Sequence, residues 1–115
     1  MPRDDTVYLA HMLETARRAG AKVSGLDQAR FMADENLHLA CVHLVQTIGE
    51  AASRVSAETR ARCPAVPWRQ VISMRHRVVH DYLEVDLEIV WKVVSADLPS
   101  LIAALEAVVP RPDSP

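Results

Sequence analysis

The 115-residue chain is predicted to be all-α, an antiparallel bundle of four to five helices forming one domain over residues 1–109. Three observations predict this. Apolar residues repeat at i, i+3, i+4 and i+7 through most of the length, the spacing of one helix face. Only three glycines occur, too few for a turn-rich β protein. No stretch shows the alternation of a half-buried strand. Half the residues are hydrophobic but only 4% are aromatic, so the core must be built from Ala, Val, Leu and Ile.

Taken in order, Asp4 or Asp5 can cap a first helix, with Leu9, Met12, Leu13 and Ala16 on its inner face and Gly20 as its end. Residues 20–26 read as a loop and Leu26 to Met32 as a short helical turn. Asp34 can cap a second long helix reaching about Val55, striped by Leu37, Ala40, Cys41, Leu44, Val45, Ile48 and Ala52. Ser56 then caps a short turn ending near Cys63, and Pro64 and Pro67 break the chain. A third helix starts near Pro67 and frays by Asp81 or Tyr82. Asp86 caps a fourth, with Leu87, Val90, Trp91 and Val94 at helical spacing. Pro99 kinks or restarts it, and Leu98, Leu101, Ile102, Leu105 and Val108 carry the stripe on. Residues 110–115 are proline-rich and expected to be disordered.

Net charge is −2, so the chain as a whole is no polyanion binder and a nucleic-acid site must be a local patch. Cys41 and Cys63 lack ligand or redox spacing and read as free thiols of a reducing cytosol. No leader and no apolar run of about 18 residues is evident, which implies a cytoplasmic protein away from membranes. His11, His38 and His43 share no metal-ligand spacing, and Glu50 lies with His43, Gln46 and Ser53 on a polar side. No metal or other cofactor is implied, and no phosphate-cradling glycine loop occurs.

The chemistry concentrates in Arg75-His76-Arg77-Val78-Val79-His80-Asp81-Tyr82. At about 100° per residue, Trp68, Val71, Ile72, Met74, Val78 and Val79 share an apolar arc with Arg75 near its middle. Arg69, Ser73, His76 and His80 gather on another face, roughly 140° from Arg75 to His80. An arginine in an apolar arc needs a partner or a wet interface. Either the helix ends before His80, or a second copy packs on the arc, or Arg75 snorkels to a carboxylate at the core edge. Arginines 60, 62, 69, 75 and 77 against the single carboxylate of Glu58 form a basic stretch. It reads as a phosphate-binding patch or as a solvated face.

The pattern Arg-x4-His-x-Tyr at Arg75, His80 and Tyr82 resembles the HEPN superfamily, and within it the HepT toxins. "IGEAASRVS" (48–56), "PAVPWRQVISMRHRVVHDYLEVDLEIVW" (64–91) and "DLPSL" (97–101) extend the resemblance, as do "YLAHMLET" (8–15) and "FMADE" (31–35), over roughly residues 4–109. His76 stands where many such proteins carry Asn. The resemblance implies a homodimer with both motifs in one cleft and metal-independent RNA cleavage by Arg75 and His80. It leaves the role of His76 open, and the basic stretch offers Arg69 and Arg77, with His76, as supporting or RNA-binding residues. It further implies a type VII toxin–antitoxin system. An MntA-type nucleotidyltransferase antitoxin would then silence the toxin by AMPylation of Tyr82, which as a structural residue would simply pack at the helix end. The alternative function is a non-catalytic helical module that presents substrate to that nucleotidyltransferase.

Overall fold

The computed structural model describes residues 2–81 and 84–110, with side chains excepted at positions 75, 79–81 and 84. Among the described residues seven helices follow one another: α1 (Arg3–Val23), α2 (Gln28–Met32), α3 (Glu35–Arg54), α4 (Ala57–Arg62), α5 (Trp68–Val78), α6 (Leu87–Lys92) and α7 (Leu98–Glu106). A π-helical turn, Val93–Asp97, joins α6 to α7. The expected all-α bundle is present, with four helices long enough to span it and three short ones between them.

Four of the helix starts follow from the polar residue ahead of them. Asp27 accepts from the Arg30 amide at 2.8 Å, Asp34 from Leu37 at 3.0 Å, Ser56 from Thr59 at 3.3 Å and Asp86 from Ile89 at 3.1 Å. Each side chain satisfies one of the amides that an N-terminal turn leaves unbonded. The first helix departs from expectation at both ends. Pro2, not an aspartate, occupies its N-cap position. Gly20 does not end it; the helix continues to Val23 and the chain leaves through Gly25, whose φ of 78° suits a residue without a Cβ. Gly20 is instead the small residue where α7 approaches, and a Cβ there would lie 3.8 Å from Ile102 Cδ1.

The core lies among α1, α3, α5 and the α6–α7 segment. α1 packs against α3 and α7, and α3 against α1 and α5. Leu9, Met12, Ala16, Cys41, Val45 and Ile48 are buried as their spacing predicts, and Val71, Met74 and Val78 of α5 close the cluster. Burying a side chain such as Leu9 or Ile48 stabilises by about 1.5–3 kcal/mol. Phe31 of α2 packs its ring 5.2 Å from Trp91 and 5.0 Å from His38, tying three helices together.

Two local features were not legible in the periodicity. α5 stops at Val78, earlier than the predicted fraying point. Val79–Asp81 (β1) then pairs antiparallel with Glu84–Val85 (β2), Val79 opposite Val85. This short ladder, extended by the Asp86 amide donating to the Val78 carbonyl at 2.9 Å, is a hairpin between helices and adds no sheet to the core. The π turn is the second. Pro99 has no amide to give the preceding turn, and the ladder widens ahead of it: the Leu98 amide bonds to Val93. The helix thus restarts at Leu98, with Pro99 in its first turn, and Val93, absent from the predicted stripe, is fully buried.

Candidate nucleic-acid interface

Of the candidate residues, Arg69 lies in the first turn of α5, Arg75, His76 and Arg77 in its last turn, and His80 just beyond it. Trp68 begins the helix and is fastened by its indole Nε1–H, which donates to the Cys63 carbonyl at 3.0 Å. Gly49 of α3 allows a close approach: a Cβ there would stand 3.1 Å from the Val71 carbonyl oxygen and 3.4 Å from that of Ile72. Val71, Met74 and Val78 face the core, while Arg69 and His76 are exposed, as the helical wheel predicts. Arg75 lies on the last turn of α5, and the side chain falls outside the described residues.

His80 belongs to β1, not to the helix. The 140° separation from Arg75 and the i+4 relation to His76 therefore do not apply, because the helical rotation ends at Val78. Of the openings left by the sequence, the one that required the helix to end before His80 has its precondition met. The His80 side chain and the whole of Tyr82 lie outside the described residues.

The basic stretch is smaller than its arginine count. Arg60 donates through one terminal nitrogen to the carbonyls of Ser53 at 2.9 Å and Ala52 at 3.5 Å, closing the C-terminus of α3. Arg62 pairs with Glu58 at 2.9 Å on the same helix. Arg69 and Arg77 make no salt bridge among the described residues and remain available to a phosphate. Arg77 is half-buried and lines a cavity of about 580 Å³ between α5 and the α6–α7 segment.

Other polar residues turn out to be structural. His38 places Nε2 2.6 Å from the Phe31 carbonyl, a contact that uses the imidazole as an N–H donor. Asp5 is buried and takes three hydrogen bonds, from the Ser56 amide at 2.9 Å, the Ser56 hydroxyl at 2.6 Å and the Thr59 hydroxyl at 2.5 Å. Those donors, the Ser56 and Thr59 hydroxyls foremost, hold its carboxyl below the usual carboxylate range. Asp5 thus pins the first turn of α1 to the start of α4, and only the Ser56-x-x-Thr59 pair of hydroxyls hints at this in the sequence. The Tyr8 hydroxyl, and after it the Glu50 carboxylate, hold the Arg54 guanidinium firmly protonated on the α1–α3 surface. Cys41 and Cys63 are both buried free thiols, and burial pushes the Cys41 thiol up. No helix of the described residues is long and apolar enough to cross a membrane.

A small all-helical bundle whose fifth helix ends between Arg75 and His80 agrees with the architecture that the resemblance to the HEPN superfamily implies. A family model described as Ribonuclease HepT-like matches residues 12–108. The chain belongs to the HepT-like ribonuclease family. A "Putative RNase" of Methanocaldococcus jannaschii is 27% identical over 92% of this chain and 97% of its own length. A "Putative RNase" of Caldanaerobacter subterraneus subsp. tengcongensis is 31% identical over 82% of this chain and 84% of its own. A "Probable ribonuclease HepT" of Thermococcus cleftensis is 33% identical over 66% and 69% respectively. No solved structure matches the chain.

Proposed function

We propose that this chain is a cytoplasmic endoribonuclease toxin that cuts RNA without a metal ion, using Arg75 and His80. The observation that carries the reading is membership of a ribonuclease family together with retention of Arg75, His80 and Tyr82 at the motif's spacing. The 2′-hydroxyl of the substrate attacks the adjacent phosphorus, and its proton passes to an imidazole of neutral-range pKa. The P–O5′ bond breaks, and the leaving oxygen takes a proton. The products are a 2′,3′-cyclic phosphate and a 5′-hydroxyl. Arg75 stabilises the charge that grows on the phosphoryl oxygens.

Two copies of the domain, residues 1–109, form a homodimer in which both motifs share one cleft, so that two His80 imidazoles serve as proton acceptor and donor. Exposed Arg69 and His76, with Arg77, hold the flanking phosphates. An MntA-type nucleotidyltransferase silences the toxin by adding AMP to Tyr82, which places negative charge where RNA phosphates must dock. Expression of the chain alone followed by RNA end-mapping tests the reading. Cleavage in EDTA with cyclic-phosphate and 5′-hydroxyl ends supports it; intact RNA at all protein concentrations overturns it.

A further inference from the structure

The cavity between α5 and the α6–α7 segment is separate from the exposed His76 face. Its floor is apolar: Val71 and Met74 from α5, Leu98 and Leu101 from α7, all buried. Two cations stand on its walls, Arg77 of α5 and Lys92 at the end of α6. Neither makes a salt bridge among the described residues, not even with Asp97, which lines the same cavity. Gln70 and Ser100 add hydrogen-bonding groups. At about 580 Å³ the space falls within the ordinary range of small-ligand pockets.

The π turn is what assembles this lining. It widens the ladder between α6 and α7 and brings Asp97, its last residue, and Leu98, the first of α7, into the lining together with Lys92. π turns recur at functional sites because they redirect side chains in this way. An apolar slot, a carboxylate within it and two cations on its walls that make no salt bridge among the described residues match a flat heteroaromatic ring carrying amino groups and attached to a phosphate.

We infer that this cavity is a nucleotide subsite that takes one unstacked base of single-stranded RNA, with Arg77 and Lys92 on the adjoining phosphate. The inference rests on the ribonuclease reading only for the identity of the chain that carries the base. Unstacked bases are the usual target of RNA recognition, and apolar packing with edge hydrogen bonds is the usual means. Asp97 can only accept hydrogen bonds when ionised, so it favours bases with an exocyclic amino group, whose two N–H donors outnumber the single N3–H of uracil. Arg77 lies two residues from Arg75 on one helix, so a base held here would lie near the proposed scissile step.

The test uses the full chain and 2′-O-methyl oligonucleotides, which cannot be cut by 2′-hydroxyl attack. Oligo(C) should shift the Met74, Leu98 and Leu101 methyl resonances and bind more tightly than oligo(U). Lys92→Ala should weaken oligo(C) binding by about tenfold, the order of one charge-assisted contact. Asp97→Asn, whose amide can also donate, should narrow the difference between the two bases. Ser100→Phe alters an exposed position and should fill the slot, abolishing the methyl shifts with an unchanged far-ultraviolet spectrum. Shifts confined to other residues, or unchanged oligo(C) affinity in both Lys92→Ala and folded Ser100→Phe, overturn the subsite. A changed sedimentation coefficient for Ser100→Phe would mean that a second copy covers the cavity, and overturns it as well. Cleavage is scored separately on unmodified RNA: cutting without these shifts leaves the ribonuclease reading standing and removes the subsite, whereas shifts without cutting do the reverse.

Discussion

Asp5 shows how far a local rule can mislead about a single side chain. An aspartate four residues into the chain reads as a helix cap, yet its carboxylate reaches across to Ser56 and Thr59, which no local rule could foresee. Its depressed pKa gives the contact a pH signature. The stabilisation is fully present above the ordinary carboxylate pKa of about 3.9 and is lost as pH falls through the lower folded value. Wild type should therefore melt above Asp5→Asn at pH 7, with the gap closing in melts below pH 4; an equal gap at pH 3 would refute the charge-dependent account. The glycines offer a second contrast. Gly20→Ala meets only ordinary contact with Ile102 and gains helix propensity, so thermal unfolding should show stabilisation of about 0.5–1 kcal/mol. At Gly49 the added methyl would press on the α5 backbone, which has no flexible end to move. Gly49→Ala should lower the melting temperature despite the same propensity gain.

At the scale of the element, α5 was the most legible segment and its end the least. Helical spacing placed Val71, Met74 and Val78 inward and Arg69 and His76 outward, because an amphipathic stripe is a local property of the sequence. The stop at Val78 depends on pairing with Glu84–Val85 across a hairpin, a contact that periodicity does not encode. The π turn before Pro99 escaped for a similar reason: proline announces a fault in the ladder but not which register the helix adopts around it. The break gives the two histidines different stations, His76 on a helix and His80 on a strand, and so separates their expected roles. His80→Ala should reduce RNA cleavage by about 10²–10⁴-fold, the usual worth of a proton-transfer group. His76→Ala should instead raise KM with kcat largely kept, as loss of a phosphate contact does. Arg75→Lys should rescue poorly against Arg75→Ala, since a point charge does not reproduce the guanidinium fork. Loss of cleavage in His76→Ala with wild-type activity in His80→Ala would exchange the assignments.

The whole molecule sets the last condition, because the proposed cleft is shared. The sequence motivated a second copy through Arg75, a charge in the middle of an apolar arc, and burial of Val71, Met74 and Val78 accounts for much of that arc within one chain. The dimer therefore needs a test that reads the cleft and not only the mass. Sedimentation should give a dimer at micromolar concentration. Co-expressing wild type with an equal amount of His80→Ala should then distinguish a shared site from two private ones. Random pairing leaves about one quarter of the assemblies as wild-type homodimers, because a closed twofold assembly draws each partner independently. If each cleft needs both imidazoles, total cleavage falls to about one quarter of that given by the same total protein as wild type. If each chain acts alone, it falls only to about one half. A value near one half, with heterodimers demonstrated by differently tagged chains, would leave the dimer intact but confine the chemistry to the Arg75 and His80 of a single chain.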